Sequence, residues 1–227
     1  MKQGTFGARV LRFYTSLRSP GMPRGIEVMN PYADAGGRKY VRAFLGKYFD
    51  DNRQRTLILG INPGRFGAGM TGVTFTDPIA LTDACGIPND LPRRPELSAT
   101  FIYQLITRLG GPRTFYGSFF LSAICPLGFT RRGVNLNYYD DKRLTDAVGP
   151  FIVKSIERHL ALGGRDDQVV VLGRGKNAIY LEKLNERHRW FGKIHALDHP
   201  RFIMQYRRKQ LDRYLAQYAK VLKSVHS

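Results

Sequence analysis

Residues 57–78 read LILGINPGRFGAGMTGVTFTDP and hold the first group able to do chemistry. Asn62 directly follows a continuous apolar run, so a strand should hold its amide. An amide orients a water but does not ionise near neutrality. That suits a reaction needing a placed nucleophile and little base strength. Glycines at 64, 67, 69 and 72 let backbone N–H groups approach a ligand closely. Phe75, beyond the turn, offers a flat face to a planar ring. Far along the chain, His199 ends an alternating stretch, WFGKIHALDHP at 190–200, that reads as a strand closing at Pro200. A neutral imidazole there can donate to a developing anion; the plainer alternative is a histidine capping a strand. His195 lies inside that stretch and reads as packing. The string GxxxxGK[ST] is absent, which disfavours a P-loop nucleotide hydrolase.

Two basic stretches stand near these groups in the inferred topology. LGRGKNA at 172–178 is a glycine-punctuated strand-to-helix turn whose amides suit a phosphate, with Arg174 and Lys176 adding charge. After Pro200, Arg201 and Arg207 accompany the bulky residues Phe202, Ile203 and Met204. Ordinary core packing with a solvated basic face is the bland reading of that segment; a wedge into stacked bases is the sharper one.

The elements that must position these residues follow from periodicity. Helical spacing predicts helices over 5–17 and 38–49, the second with a basic face, joined by a Pro- and Gly-rich connection at 18–37. Residues 56–61 read as a buried strand, 62–97 as a long functional loop and 98–110 as a helix. Strands are expected at 115–127, 167–173 and 190–200, a loop at 128–138, and helices at 140–162, 174–188 and 204–225. Gly149-Pro150 marks an expected break in the first of these helices. The last carries an apolar stripe at 211, 214, 215, 218, 221, 222 and 225. This alternation predicts an α/β fold, a three-layer α/β/α sandwich around a four-stranded parallel sheet. Ligands of such sheets sit outside the carboxyl ends of the strands, where Asn62 and His199 fall.

The chain has 227 residues, which fits one domain, with 1–50 as a helical leading part and 55–225 as the core. Lys and Arg number 36 against 18 Asp and Glu, a net charge of +18 that points to a polyanionic partner such as nucleic acid. No run approaches the ~20 apolar residues of a membrane span, and the first residues carry no long apolar segment, so no membrane association or signal peptide is expected. Cys85 and Cys125 form no metal-binding spacing and are too few for an iron–sulfur cluster. A reducing, cytoplasmic setting is expected, with no metal and no cofactor.

With these residues assembled, the chain resembles the uracil-DNA glycosylase superfamily, and within it the single-strand-selective monofunctional type. That family's first motif, N-P-G-P-F-G-x-x-x-T-G-V-P-F, is matched in spacing by Asn62-Pro63-Gly64-Arg65-Phe66-Gly67 and Thr71-Gly72-Val73-Thr74-Phe75. C-P-L and G-x-N-L appear as Cys125-Pro126-Leu127 and Gly133-Val134-Asn135-Leu136. The turn V-G-x-G appears as Leu172-Gly173-Arg174-Gly175, and the H-P motif as His199-Pro200. The resemblance covers roughly residues 55–215 and implies a monofunctional DNA glycosylase that starts base excision repair. It implies that Asn62 positions the attacking water, that His199 donates to the uracil O2, and that Phe75 stacks on the flipped base. Gly64, Phe66, Met70, Phe75, Ser122 and Ala123 are then expected around the base, with Gly64 leaving its C5 side open. Arg174, Lys176, Arg201, Met204 and Arg207 are expected to contact DNA.

One matched residue and two departures from the family shape the expected chemistry. Faster relatives carry an Asp where Asn62 stands, so slower catalysis is expected, driven mainly by electrostatics. The family's edge-reading Asn, two residues before C-P-L, is Ala123 here, preceded by Ser122. That widens the expected substrates to xanthine and hypoxanthine. The Ser/Pro/Asn-rich wedge loop is replaced by RFIMQYRRKQ at 201–210, which looks like a diverged, mainly bacterial subgroup. No lysine nucleophile matches, so no lyase step is expected. The expected partner is single- or double-stranded DNA containing a deaminated base, bound by a monomer near nucleoid DNA. The rival reading is a weak or inactive DNA-binding module on the same fold, and Asn62 together with His199 favours the enzyme. A glycosylase for T·G mispairs shares G-I-N-P-G but lacks the T-G-V-x-F and H-P strings.

Overall fold

The computed structural model describes residues 1–226. In chain order, α1 (Phe6–Ser16), β1 (Glu27–Met29) and α2 (Ala35–Tyr48) precede β2 (Arg55–Gly60). Short helices α3 (Ala68–Thr71) and α4 (Pro78–Asp83) lead to α5 (Leu97–Arg108) and α6 (Pro112–Ser118). Then come β3 (Phe119–Ala123), β4 (Gly128–Arg131), β5 (Val134–Leu136), α7 (Lys142–Ala161), β6 (Gly164–Leu172), α8 (Lys176–His188) and β7 (Lys193–Leu197). The chain continues through α9 (Pro200–Tyr206), a 3₁₀ turn at Arg208–Gln210, and α10 (Leu211–His226).

The main sheet is parallel, in the order β3-β2-β6-β7, with helices on both faces. Leu59 pairs with Ser122 on one side and Val171 on the other, and Leu172 pairs with Leu197. This register brings all four carboxyl ends to one edge. The apolar runs are continuous because both faces are covered: Leu57, Leu59 and Val169 to Val171 have no exposed surface. No helix among the described residues is long and apolar enough to cross a membrane.

Five local expectations are corrected. Residues 115–118 are helical, because Pro112 at the first turn starts α6, and β3 begins only at Phe119. The stretches 18–37 and 128–138 contain strands: β1, β4 and β5 form a small antiparallel sheet. The loop at 62–97 holds α3 and α4, the latter capped by Asp77. Gly149-Pro150 does not break α7; Pro150 lies on the exposed face, where the carbonyl it leaves unpaired can meet water. The final helix begins at Pro200 and is interrupted at Arg207, giving α9 and α10. On α10, Leu215, Tyr218, Leu222 and Val225 of the expected stripe are buried.

The leading helices buttress the motif loop. A side chain at Gly72, which adopts φ 70°, would meet Val41 of α2 at 2.4 Å. From α1, the Tyr14 hydroxyl lies 3.1 Å from Ser122 Oγ, which is itself 2.7 Å from His159 Nε2. Ser122 is thereby committed to a buried polar chain. Desolvation pushes the His159 pKa down to about 4, so this ring stays neutral and can accept from the serine.

Candidate active site

A cleft of about 320 Å³ opens at the carboxyl edge of the main sheet. The ends of β2 and β3 supply Gly60, Asn62 and Ala123; the residues after β7 supply His199, Arg201, Phe202, Gln205 and Tyr206. Gly64, Gly67 and Phe75 come from the motif loop, Glu96 and Ser98 from the start of α5, and Asn135 to Asn137 from the end of the β4–β5 hairpin.

Asn62 is fixed by two opposed hydrogen bonds. Its Nδ2 donates to Leu136 O at 3.1 Å, and its Oδ1 accepts from Tyr138 N–H at 3.1 Å. The amide orientation is set by backbone on both sides, and a second lone pair of Oδ1 remains for a water.

Phe75 adopts φ 56°, unusual for a bulky residue and a strain of about 1–3 kcal/mol. Thr71 holds that turn: its hydroxyl donates to Thr76 O at 2.7 Å and accepts from Val73 N–H at 3.1 Å. The ring lies over the end of β2, where a side chain at Gly60 would meet Phe75 at 2.7 Å. At Gly64 a Cβ would meet only Asn135 Nδ2, at 3.5 Å. That glycine therefore leaves space in the cleft and is not a steric necessity.

His199 caps α9, with Arg201 N–H donating to its Nδ1 at 3.2 Å. In the neutral ring the proton then sits on Nε2, free to donate. Desolvation, with the Arg201 charge adding to it, pushes the His199 pKa down to about 4. The ring centroids of His199 and Phe75 are 5.8 Å apart. The neutral form should prevail from pH 8 to about 5. Because the folded pKa lies below the ordinary 6.5, the unfolded chain takes up this proton first. Stability from this group is therefore intact above pH 6.5 and lost as pH falls towards 4. NMR titration of the ring, identified with His199→Gln, should show a midpoint well below 6; a midpoint near 6.5 contradicts the half-buried neutral donor.

Of the expected base-pocket residues, the cleft brings together Gly64, Phe75 and Ala123 with Asn62 and His199. Phe66, Met70 and Ser122 lie outside it. Phe66 turns out to solvent. Met70 is two residues past Ala68 on α3, about 200° round the helix, and so faces away from the cleft that Ala68 lines. Ser122 points into the buried polar chain because strand side chains alternate and Ala123 takes the cleft side.

Among the expected DNA contacts, Arg201 lines the cleft and Met204 is a core residue. Starting α9 at Pro200 puts 201, 202, 205 and 206 on the cleft face and turns Ile203 and Met204 inward. Arg207 is exposed, its guanidinium 5.4 Å from the Phe202 ring. Arg174 and Lys176 sit outside the cleft, Arg174 Nε 3.8 Å from Asp198 and Lys176 Nζ 5.9 Å from the Tyr139 ring. Sequence reasoning passed over Tyr206, Thr71 and the cleft carboxylate of Glu96. The Glu96 group caps α5, accepting from Ala99 N–H and Ser98 Oγ, each at 3.0 Å.

The topology and the site define a family. The family model of the uracil DNA glycosylase superfamily matches residues 47–223, and the chain belongs to that superfamily. It is similar to the single-strand selective monofunctional uracil-DNA glycosylase of Rattus norvegicus, 31% identical over 139 residues, and to that of Mus musculus, 30% identical over 139 residues. Each match covers 52% of this chain and 48% of the relative, so the aligned segment spans about half the length of those relatives. The crystal structure of wild-type Pedobacter heparinus SMUG2 superposes with a TM-score of 0.95 at 42% identity, over 98% of this chain and 99% of that one.

Proposed function

We propose that the cleft takes a deaminated base flipped out of DNA and hydrolyses its N-glycosidic bond. The observation that carries this reading is the presence of Asn62 and His199 in one cleft, from the strand ends of β2 and β7, with the Phe75 ring 5.8 Å from that of His199. The base stacks on Phe75. As the bond from C1′ to the base breaks, its electron pair goes to the base, and His199 Nε2–H donates to the oxygen on which charge collects. A water held by Asn62 Oδ1 attacks C1′ and loses a proton to solvent, and the base leaves. Neither step needs a metal, a cofactor or a lysine, and the backbone phosphodiesters stay intact. The enzyme acts as a monomer on nucleoid DNA in the cytoplasm.

Ala123 supports a base range wider than uracil. It is buried at the cleft floor, where it offers no amide to read an edge. Xanthine and hypoxanthine join uracil as substrates in this reading. Oligonucleotides carrying each base, single-stranded or mispaired, treated with the enzyme and then with alkali, test it. Release of uracil and of at least one of the two purines is expected, together with a fall in purine release of about tenfold or more in Ala123→Asn, which fills floor space and adds an edge reader. Release of uracil alone would restrict the range. No release from any substrate, with DNA still bound, would leave a binding module.

A further inference from the structure

Only three Phe, Tyr or Trp rings are exposed among the described residues: Phe66 at 37%, Phe202 at 40% and Tyr206 at 60%. All three border the cleft. Phe202 and Tyr206 line it from α9, their centroids 5.5 Å apart, while Phe66 stands on the opposite loop between the lining residues Gly64 and Gly67. Exposed rings gathered at one rim, with none elsewhere among the described residues, mark a contact surface.

The surroundings of Phe66 identify the contact. The guanidiniums of Arg65 and Arg94 lie over its ring, 4.7 and 5.3 Å from the centroid. Neither arginine has a carboxylate partner among the described residues, whereas neighbouring Arg93 is paired with Asp83 at 3.0 Å. The turn beneath is set by Gly64 O, which accepts from Gly69 N–H at 2.9 Å, so the ring is held on ordered backbone. A flat ring framed by two unpaired guanidiniums matches a nucleotide: a base face for the ring or a guanidinium plane, and a phosphate for the charge. In a chain of net charge +18, an anionic polymer is the complementary occupant. Base pairs within a duplex keep their faces stacked, so the free face must come from an unpaired nucleotide.

We propose that Arg65, Phe66 and Arg94 form a stacking platform for an unpaired base of the DNA strand next to the nucleotide in the cleft. This rests on the reading that the cleft receives a nucleotide from DNA. The platform is separate from the α9 face and gives the enzyme a grip on single-stranded or locally opened DNA that does not depend on sequence.

Fluorescence anisotropy of the full chain with a lesion-free oligo-dT single strand tests the platform apart from catalysis. Phe66→Ala should weaken binding about tenfold, Phe66→Trp should keep it, and Arg94→Ala should reduce the slope of log K against log salt by about 0.7. On a uracil-containing single strand, Phe66→Ala should raise KM about tenfold with kcat unchanged. That difference should vanish when both neighbours of the uracil are base-free nucleotides. Wild-type affinity of Phe66→Ala for oligo-dT, or equal losses in Phe66→Ala and Phe66→Trp at unchanged melting temperature, would overturn the platform. Weakened oligo-dT binding by Phe66→Ala with no base release by the wild type would uphold the platform while removing the excision reading.

Discussion

Asn62→Ala should release uracil about 100-fold more slowly than the wild type, or worse, with KM little changed. An oriented reacting group contributes on this scale, and the structure shows the orientation. Oδ1 accepts from Tyr138 N–H and Nδ2 donates to Leu136 O, so the amide cannot flip without losing both bonds. In the proposed mechanism alanine removes the holder of the water and leaves the Phe75 face and the His199 donor in place, which is why the loss should fall on kcat. Asn62→Asp sharpens the point. It keeps an oxygen for Tyr138 but sets a second oxygen against Leu136 O, so it should also run below the wild type despite its greater basicity. Single-turnover rates on a uracil-containing single strand check both variants. Near wild-type rates for alanine would remove Asn62 from the chemistry.

The second large effect is on stability and lies at the opposite end of the same strand. Arg55 opens β2, is fully buried, and packs against the stacked rings of Phe6 and Phe49, 4.9 and 4.8 Å from their centroids. Its guanidinium donates to Tyr116 O at 2.9 Å, to Arg53 O at 2.8 Å and to Asp51 Oδ2 at 2.9 Å. Arg55→Met keeps much of the volume but leaves those carbonyls without their donor, a cost of about 3 kcal/mol. For a chain of this size that corresponds to a melting temperature lower by roughly 6–12 °C. Arg55→Lys should recover only part, because an ammonium cannot reproduce the planar fork. Strand β2 puts about 17 Å between Arg55 and the cleft, so the folded fraction of Arg55→Met should keep wild-type kcat. Calorimetry and activity below the transition measure both; an unchanged melting temperature would contradict the assigned role.

The main sheet was legible because its central strands are covered on both faces and therefore read as apolar runs, while the edge strand β7 shows as alternation ending at His199. Asn62 and His199 were legible because each sits at a strand end whose edge the parallel topology fixes. The small sheet was not. Residues 131–137 are largely polar and only partly buried, and the buried stretch Gly128 to Thr130 is too short to read as a strand. Yet Leu136 and Tyr138 in or beside that segment pin the Asn62 amide. The G-V-N-L string is the signal available there, and it carries no strand periodicity. FYGSFF at 115–120 misled through its strand-forming residues, while the helix-starting Pro112 was passed over. Facing was the other blind spot. Starting α9 at 200 keeps Phe202 at the cleft, adds Tyr206 and turns Ile203 and Met204 into the core. Alternation along β3 gives Ala123 to the cleft and Ser122 to the buried chain. Spacing alone carries neither distinction until an element's first residue is known.

The central claim, that this cleft removes a base by hydrolysis, is tested most directly by assaying free uracil released from a single-stranded oligonucleotide and examining the strand before and after alkali. The account predicts free uracil in step with abasic sites, a strand uncut until alkali is added, and no adduct trapped by borohydride. Absence of free uracil, or a strand cut before alkali with a borohydride-trapped adduct, would contradict it.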